Sequence, residues 1–125
     1  MDTLTKKRRS YLMSLIRSVA EMERKARSLA TKKAGVPLRH QPMGVPGRPD
    51  YANKARKVAV FVHGCFWHQP CPRGCSKAPA TRRKFWEAKF RRNRERHAEA
   101  AKELRAAGYR VVVVWEHEVR RHNAK

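Results

Sequence analysis

The side chains with the greatest chemical capability lie in one short string, His63-Gly64-Cys65-Phe66-Trp67-His68, just downstream of Gly47-Arg48-Pro49-Asp50. Together they offer a carboxylate, two histidines, a thiol and two large aromatic rings. A carboxylate suits a hard cation such as magnesium, a thiolate suits zinc, and apolar rings can wedge between stacked bases. This density of capable groups indicates metal-assisted chemistry on a nucleic acid.

The carboxylate and the two histidines predict hydrolysis of a phosphodiester. That reaction needs a hard cation to neutralise the phosphate and to activate water. Asp50, beside a main-chain carbonyl at the end of a 58–62 strand, would suffice if phosphate oxygens and waters complete the shell. His63 and His68 could then relay protons. The plainer alternative is an Asp in a turn after Pro49 and two structural histidines.

The thiols predict a structural zinc site. Cys65, Cys71 and Cys75 are separated by five and three residues, which is looser than the paired spacing of a zinc ribbon. Three thiolates leave one tetrahedral position open, for which His117 and His68 are the candidates. The alternative is three partly buried thiols without metal. Phe66 and Trp67 likewise either contact DNA or pack as core residues beneath a loop.

Two strands and the helix between them must position these groups. Val58 to Val62 and Val111 to Trp115 are continuous apolar runs that predict buried strands, and residues from Thr81 to about Ala106 have a helical pattern that stops near Gly108. A βαβ unit implies parallel strands with a right-handed crossover. The residues after Val62 and after Trp115 should therefore emerge at one sheet edge, which brings His117 towards Cys65.

The N-terminal third has a helical pattern. Leu12, Leu15, Ile16 and Val19 form an amphipathic face with Ser10 as a possible cap. Arg and Lys fill the other faces, so the helical segments could rest one side on a core and turn another towards phosphates. A second helical stretch carries Met22, Ala26, Leu29 and Ala30 and ends near Gly35. Four prolines and two glycines between residues 36 and 49 predict an irregular loop or a short extended piece.

Charge and length narrow the class. With 31 basic and 10 acidic residues among 125, the chain carries a net charge of +21, which favours a polyanionic partner such as nucleic acid. The length fits one domain. No apolar run is long enough to cross a membrane, and the first residues lack the apolar core of a signal peptide, so we expect a cytoplasmic protein. A reducing compartment favours metal ligation over disulfides.

The combined motifs resemble those of the very-short-patch repair (Vsr) endonucleases, bacterial enzymes that nick DNA beside T:G mismatches left by deamination of 5-methylcytosine. The resemblance covers nearly the whole chain. The segments that carry it are Arg9-Ser10 through Glu23, Gly47 to Asp50, the strand 58–62, the string His63 to His68, Phe85-Trp86, Asn93 to Arg96, and Val114-Trp115-Glu116-His117.

The resemblance implies a restriction-endonuclease-like α/β fold, with a small central mixed sheet flanked by helices and a structural zinc. Asp50 would be the main magnesium ligand and the Val62 carbonyl a second one. His68 would transfer protons, oriented by Glu23, and His63 would lie near the scissile phosphate. His97 stands where an Asp is common in this family, and its helical stripe, shared with Asn93, Trp86, Phe90 and Leu104, should face inward.

By the same resemblance Phe66 and Trp67 would intercalate beside the mismatch, with Met13 wedging from the other groove. Zinc would be held by Cys65, Cys71, Cys75 and His117. Residues 1–125 would form one endonuclease domain, with a DNA-contacting helical segment at 1–35 and a catalytic core at 47–119. We expect a monomer that binds double-stranded DNA near the bacterial nucleoid, with mismatch-repair proteins as possible partners. The alternatives are another nuclease of this fold acting on foreign or matched DNA, and a non-catalytic zinc-stapled DNA-binding protein.

Overall fold

A computed structural model describes residues 5–74 and 77–122. These residues form three helices and four strands, in the order α1 (Lys6–Ala34), β1 (Arg39–His40), β2 (Tyr51–Asn53), β3 (Val58–His63), α2 (Arg83–Ala106), β4 (Arg110–Trp115) and α3 (Glu116–Arg121). The predicted central helix and the strands on either side of it are confirmed to within two residues. The predicted irregular segment at 36–49 is also present, with β1 as its one short extended piece.

The four strands make one mixed sheet in the order β1-β2-β3-β4. β1 and β2 are antiparallel, as are β2 and β3, whereas β3 and β4 are parallel. In the parallel pair Val58 lies opposite Arg110, and the register continues until His63 lies opposite Trp115. The predicted parallel pairing is therefore confirmed, and both strands end at the same edge of the sheet.

Helices cover both faces of β3. Successive side chains of the strand point to opposite faces, so alternate residues pack against different helices. Val58 and Val60 pack with residues of α1 and α3, while Ala59 and Phe61 pack with Leu104 of α2. This is the two-sided burial that a continuous apolar strand predicts. The expectation is met only in part for β4, where Val114 alone is fully buried, because β4 is an edge strand of the sheet.

The N-terminal third is one continuous helix of 29 residues, which corrects the prediction of two stretches. Its cap is Thr5, whose hydroxyl accepts a hydrogen bond from the Arg8 N–H at 3.2 Å. Ser10, the predicted cap, lies inside the helix. The helix ends as predicted, at Gly35, whose φ of 71° is easy for glycine.

The first half of α1 does not rest on a core, which is a second correction. Leu12, Leu15, Ile16 and Val19 are all exposed. Only the second half, around Leu29 and Ala30, packs on the sheet.

The direction of the helix explains this exposure. Its C-terminal end packs on Val58 and Val60, at the start and middle of β3, while Val19, Met22 and other residues near its middle line a cavity with Val62 at the strand's end. Residues 6–17 therefore extend beyond the sheet edge by about 18 Å, at 1.5 Å per helical residue. We call this segment the overhang. Within the described part of the chain, no helix is long and apolar enough to cross a membrane.

Candidate active site and cysteine–histidine cluster

Asp50 and Val62 are joined directly at the sheet edge. The Val62 N–H donates a hydrogen bond of 2.7 Å to Asp50 Oδ2, and the Asp50 main-chain carbonyl accepts one of 2.8 Å from the Gln41 N–H. One hydrogen bond therefore holds the Asp50 side chain and another holds its main chain. Among the described residues, 5–74 and 77–122, none forms a hydrogen bond with the other carboxylate oxygen, Asp50 Oδ1.

A proline explains why the sheet opens at this point. β2 and β3 pair with Tyr51 opposite Val60, so the same register would place Pro49 opposite Val62. Proline has no N–H and cannot donate to the Val62 carbonyl. In an antiparallel ladder the N–H and the carbonyl of one residue face the same neighbouring strand. The Val62 carbonyl therefore faces the same side as the Val62 N–H, towards Asp50, and Pro49 offers it no main-chain donor.

A cavity of about 490 Å³ lies between this edge and α2. Asp50, Val62, His63 and His68, all predicted site residues, line it together. Helix α2 contributes further polar and basic side chains, namely Lys89, Asn93, Arg96 and His97. The cavity therefore combines one carboxylate with several cationic and neutral donors, a composition suited to an anionic substrate.

Three imidazole rings, from His63, His68 and His97, form a histidine cluster in this cavity. His63 stacks on His68 with ring centroids 3.8 Å apart and planes within 5°. Its edge meets His97, and the His63 Nε2 and His97 Nδ1 atoms are 3.2 Å apart. His97 was predicted to face inward, and its place against His63 agrees with that prediction.

Burial keeps these imidazoles neutral. It lowers the pKa of His63 to about 3, with further lowering by the neighbouring His68 and His97. Burial also lowers the pKa of His68, although the Asp50 carboxylate opposes the shift, and the pKa of His97, which Arg105 lowers further. Neutral rings retain a lone pair and can accept a proton or a hydrogen bond.

Glu23 lies apart from His68. It is an exposed residue of α1 and lines a second cavity of about 450 Å³, whereas His68 lines the first. Asp50 and Val62 border both cavities. In the described part of the chain no hydrogen bond joins Glu23 to His68, so the structure brings Glu23 near Asp50 rather than into contact with the histidine it was expected to orient.

Phe66 and Trp67 differ in their surroundings. Phe66 is half-buried and meets the rings of Trp67, Trp86 and Phe90 edge-on, with centroids 5.1, 5.4 and 5.5 Å away. Trp67 is 46% exposed, with the Lys89 ammonium 5.4 Å from its ring centre. The core alternative thus describes Phe66 in part, while Trp67 presents most of the free aromatic surface.

Helix α2 holds the loop that carries these rings. Asn93 donates a 2.9 Å hydrogen bond to the Trp67 carbonyl, and Arg94 donates one of 2.6 Å to the Gln69 carbonyl. Met13, the other predicted DNA contact, lies on the overhang and is 50% exposed. Basic residues surround it, among them Lys6, Arg9 and Arg17.

A separate cysteine–histidine cluster lies just past the ends of β3 and β4. His117 Nδ1 is 3.4 Å from Cys65 Sγ and 3.3 Å from Cys71 Sγ, and all three atoms lie within 4.8 Å of one another. The register accounts for this, because Cys65 and His117 each follow a directly paired residue, His63 and Trp115, by two positions. The predicted meeting of Cys65 with His117 is confirmed.

The cluster fits a zinc ion. Ligand sulfur and nitrogen atoms around one tetrahedral zinc stand about 3.5 Å apart, given bond lengths near 2.3 and 2.0 Å. Cys75, the fourth predicted ligand, lies outside the described residues. His68, its rival, is in the histidine cluster instead.

The sequence analysis missed Lys89 and Arg96 as site residues and predicted only that His97 faces inward. The available signal was spacing, since positions 89, 93, 96, 97 and 100 lie on one helical face and all line the cavity. Which strand end this face meets depends on tertiary packing, so the helical pattern could not assign it to the site.

Comparison with known proteins gives consistent matches. The family model described as "DNA mismatch endonuclease Vsr" matches residues 1–73. The chain is 37% identical over 120 residues to "Type II nicking enzyme V.XorIIP" of Xanthomonas oryzae pv. oryzae, covering 94% of this chain and 86% of that protein. It is 39% identical over 97 residues to "DNA mismatch endonuclease Vsr" of Escherichia coli K12, covering 76% of this chain and 60% of that one. "Type II nicking enzyme V.NmeAIP" of Neisseria meningitidis is 34% identical over 123 residues, with 95% and 84% covered.

Proposed function

Because this chain belongs to the Vsr family of DNA mismatch endonucleases, we propose that it nicks one strand beside a T:G mismatch, with magnesium, in very-short-patch repair of deaminated 5-methylcytosine. The observation that carries the proposal is the Asp50–Val62 pair at the opened sheet edge, in a cavity lined by histidines and basic side chains. Relatives named as nicking enzymes support cleavage of one strand.

Magnesium suits the oxygen atoms at this edge. Asp50 Oδ1 and the Val62 carbonyl are hard ligands, and magnesium typically takes one or two protein ligands while waters and phosphates fill the rest. When bound, the ion supplies charge neutralisation of the scissile phosphate. The hydrogen bond from Val62 N–H to Asp50 Oδ2 orients the carboxylate beforehand, so that Oδ1 stays available.

The histidines would serve proton transfer. We assign His68 to this step and place His63 near the scissile phosphate, as the family resemblance implies. Both are neutral near pH 7, because burial lowers their pKa values. His63, whose pKa falls to about 3, is a weak base, whereas the Asp50 carboxylate favours a proton on His68. Glu23 borders Asp50 from the second cavity, and we propose that it reaches His68 only once substrate is bound.

Two surfaces on opposite sides of Asp50 would grip the duplex. The exposed ring of Trp67, with Phe66 behind it, would intercalate from one groove, and Met13 of the overhang would enter from the other. The net charge of +21 would supply phosphate binding. The apolar exposed face of the overhang needs a partner outside the fold, and a DNA groove flanked by phosphates matches its mixed apolar and basic surface.

Zinc would be structural. Cys65, Cys71 and His117 would bind it, with Cys75 as the fourth ligand, and a site with four protein ligands has no position for water.

We further propose a restriction-endonuclease-like fold, a DNA-contacting segment at 1–35 and a catalytic core at 47–119. The protein would act as a cytoplasmic monomer together with mismatch-repair proteins.

A denaturing-gel nicking assay tests the proposal. End-labelled duplexes with a T:G mismatch in several contexts, and matched controls, are incubated with the protein in magnesium or in chelator. We expect a single nick beside the mismatch, only with magnesium. Equal cleavage of matched duplexes would favour the general nuclease, and no cleavage by folded protein would favour the non-catalytic DNA-binding alternative.

A further inference from the structure

Helix α1 is joined near its C-terminal end to the short helix α3 by two polar contacts. Ser28 Oγ lies 2.9 Å from His122 Nε2, a hydrogen-bond distance, and the Lys33 ammonium forms an ion pair with Oε2 of Glu118. Between them the buried Val119 lies in the same core cluster as the apolar residues of α1. The exposed overhang therefore belongs to a helix whose other end is held by α3.

Helix α3 is itself fixed to the end of β4. It begins at Glu116, directly after Trp115, the strand residue that pairs with His63. The Trp115 N–H donates a hydrogen bond of 3.2 Å to Glu118 Oε1, while the other oxygen of the same carboxylate pairs with α1. Glu118 therefore connects the last turn of α1 to the sheet edge that carries the histidine cluster.

The spacing of the two polar contacts bears on the direction of the helix. Ser28 and Lys33 are five residues apart, about 7.5 Å along the axis, and Met13 lies fifteen residues before Ser28, about 22 Å away. A displacement of about 1 Å at Lys33, with Ser28 as the pivot, would move Met13 by about 3 Å. Small errors near the C-terminal end are therefore amplified at the overhang.

The other contacts of α1 specify direction less well. Leu29 and Ala30 pack on the sheet close to the two polar contacts, and burial of apolar surface is non-directional. The overhang itself exposes its apolar side chains, such as Leu12 and Ile16, so the core gives it no support. The polar contacts join fixed pairs of atoms and are the features suited to setting the angle of α1.

We propose that the two polar contacts between α1 and α3 position the overhang for mismatch recognition: they fix the direction of α1 so that Met13 meets the duplex opposite Trp67. This inference rests on the proposed function, in which these two side chains enter the duplex from opposite grooves. Ser28 and Lys33 act through the helix, as positioning residues, and not by touching the mismatch.

Substitutions near the C-terminal end of α1 separate direction from charge. Lys33→Met removes the ammonium that pairs with Glu118 and keeps a long side chain, whereas Lys33→Arg keeps a cation. Lys32→Met is the matched control, because it removes an equal charge from the same helical turn, and Lys32 forms no ion pair within the described ranges. Ser28→Ala removes the second contact, and the double variant Ser28→Ala/Lys33→Met removes both.

The direction of the helix is measured without DNA. Spin labels placed by non-cysteine chemistry at Arg8 and Glu95, both exposed, give the distribution of distances between the overhang and α2. We expect a narrow distribution in the parent protein, in Lys32→Met and in Lys33→Arg. It should be broader in Lys33→Met and broadest in the double variant. Thermal melting establishes that each variant is folded.

Binding to T:G-mismatched and matched duplexes, both in chelator, gives the effect on recognition. Lys32→Met should weaken both by the same factor, because attraction to phosphates does not depend on the base pair. Lys33→Met should in addition lower the preference for the mismatch about two- to fivefold, which is as much as a partly exposed ion pair can supply. In the double variant the loss should reach about tenfold, because the hydrogen bond to His122 is also gone.

Two results would overturn the positioning role. One is an equally narrow distance distribution in the parent protein and in the double variant. The other is a mismatch preference that is the same in Lys32→Met and in the double variant. A distribution that broadens as expected, in a protein whose parent neither prefers nor nicks the mismatched duplex, would support the role of α3 in directing α1 and would overturn the proposed function.

Discussion

Replacing Asp50 by asparagine or by alanine separates two effects of its carboxylate. One oxygen accepts the Val62 N–H at 2.7 Å, and we propose that the other binds magnesium. Asparagine keeps an oxygen for the N–H but loses the charge, whereas alanine loses both. We therefore expect both variants to lose nicking, by about three orders of magnitude, since about 4 kcal/mol of transition-state stabilisation corresponds to that factor.

The stability of the two variants should differ. Alanine leaves the partly buried Val62 N–H without its acceptor, which costs about 1–3 kcal/mol. For a domain of this length, that corresponds to a fall in Tm of roughly 4–12 °C. Asparagine replaces a charged acceptor with a neutral one and should lose about 1 kcal/mol.

The assays are the denaturing gel for nicking, thermal melting for stability, and a gel shift in chelator for DNA affinity. Affinity should be unchanged or higher in both variants, because a negative charge beside the phosphates has been removed. Nicking by Asp50→Asn at more than a tenth of the parental rate would refute the metal-ligand assignment. Identical melting curves for the two variants would refute the structural role of the hydrogen bond.

Gly47→Ala should destabilise the protein more than Gly44→Ala and reduce nicking: both have φ of 76°, but only at Gly47 would the added Cβ lie 2.9 Å from Ala100 Cβ. Equal melting temperatures would contradict this. Cys65→Ser should lose bound zinc, measured by elemental analysis, and melt at lower temperature, because the free energy of zinc binding is largely folding free energy. A parent protein that contains no zinc and melts at the same temperature as Cys65→Ser would argue against the site. Trp67→Ala should weaken binding to mismatched more than to matched duplex, with little change in Tm, and a uniform loss of affinity would indicate simple stacking rather than intercalation at the mismatch.

The centre of the fold could be predicted from the sequence because its elements have strong local patterns. The apolar runs before His63 and before Glu116 have the length and β-branched content of strands, and the crossover helix makes them parallel. From these facts alone, the meeting of Cys65 with His117 followed. Cys65 and His117 each lie only two residues past the end of a strand, so the pairing of the strands is enough to bring them together.

The N-terminal helix was harder to predict, because periodicity shows that a helix has an apolar face but not what that face packs against. The apolar face around Leu12 and Ile16 has the spacing of a core-facing helix, yet the sheet ends before reaching it. An exposed apolar face and an apolar face that packs on a core have the same pattern in the sequence. Only the direction of α1 relative to β3 distinguishes them.

The details of the site depended on packing that no local rule specifies. The inward direction of His97 followed from helical spacing, but the approach of its Nδ1 to His63 depends on where α2 crosses the sheet. Phe66 and Trp67 are neighbours in sequence with different exposures, since Trp86 lies near both rings but Phe90 packs against Phe66. The position of Glu23 relative to His68 was likewise beyond what spacing could predict.

The shared end of β3 and β4 has a consequence for how this protein can evolve. His63 and Cys65 leave the same strand two residues apart, and Trp115 and His117 do the same on the neighbouring strand. With the roles proposed above, a substitution that shifts this edge would change thermal stability through the cysteine–histidine cluster and the nicking rate through the histidine cluster. Substitutions that favour stability and substitutions that favour cleavage would then fall on the same few positions, and we expect fewer substitutions to be tolerated there than elsewhere in the chain.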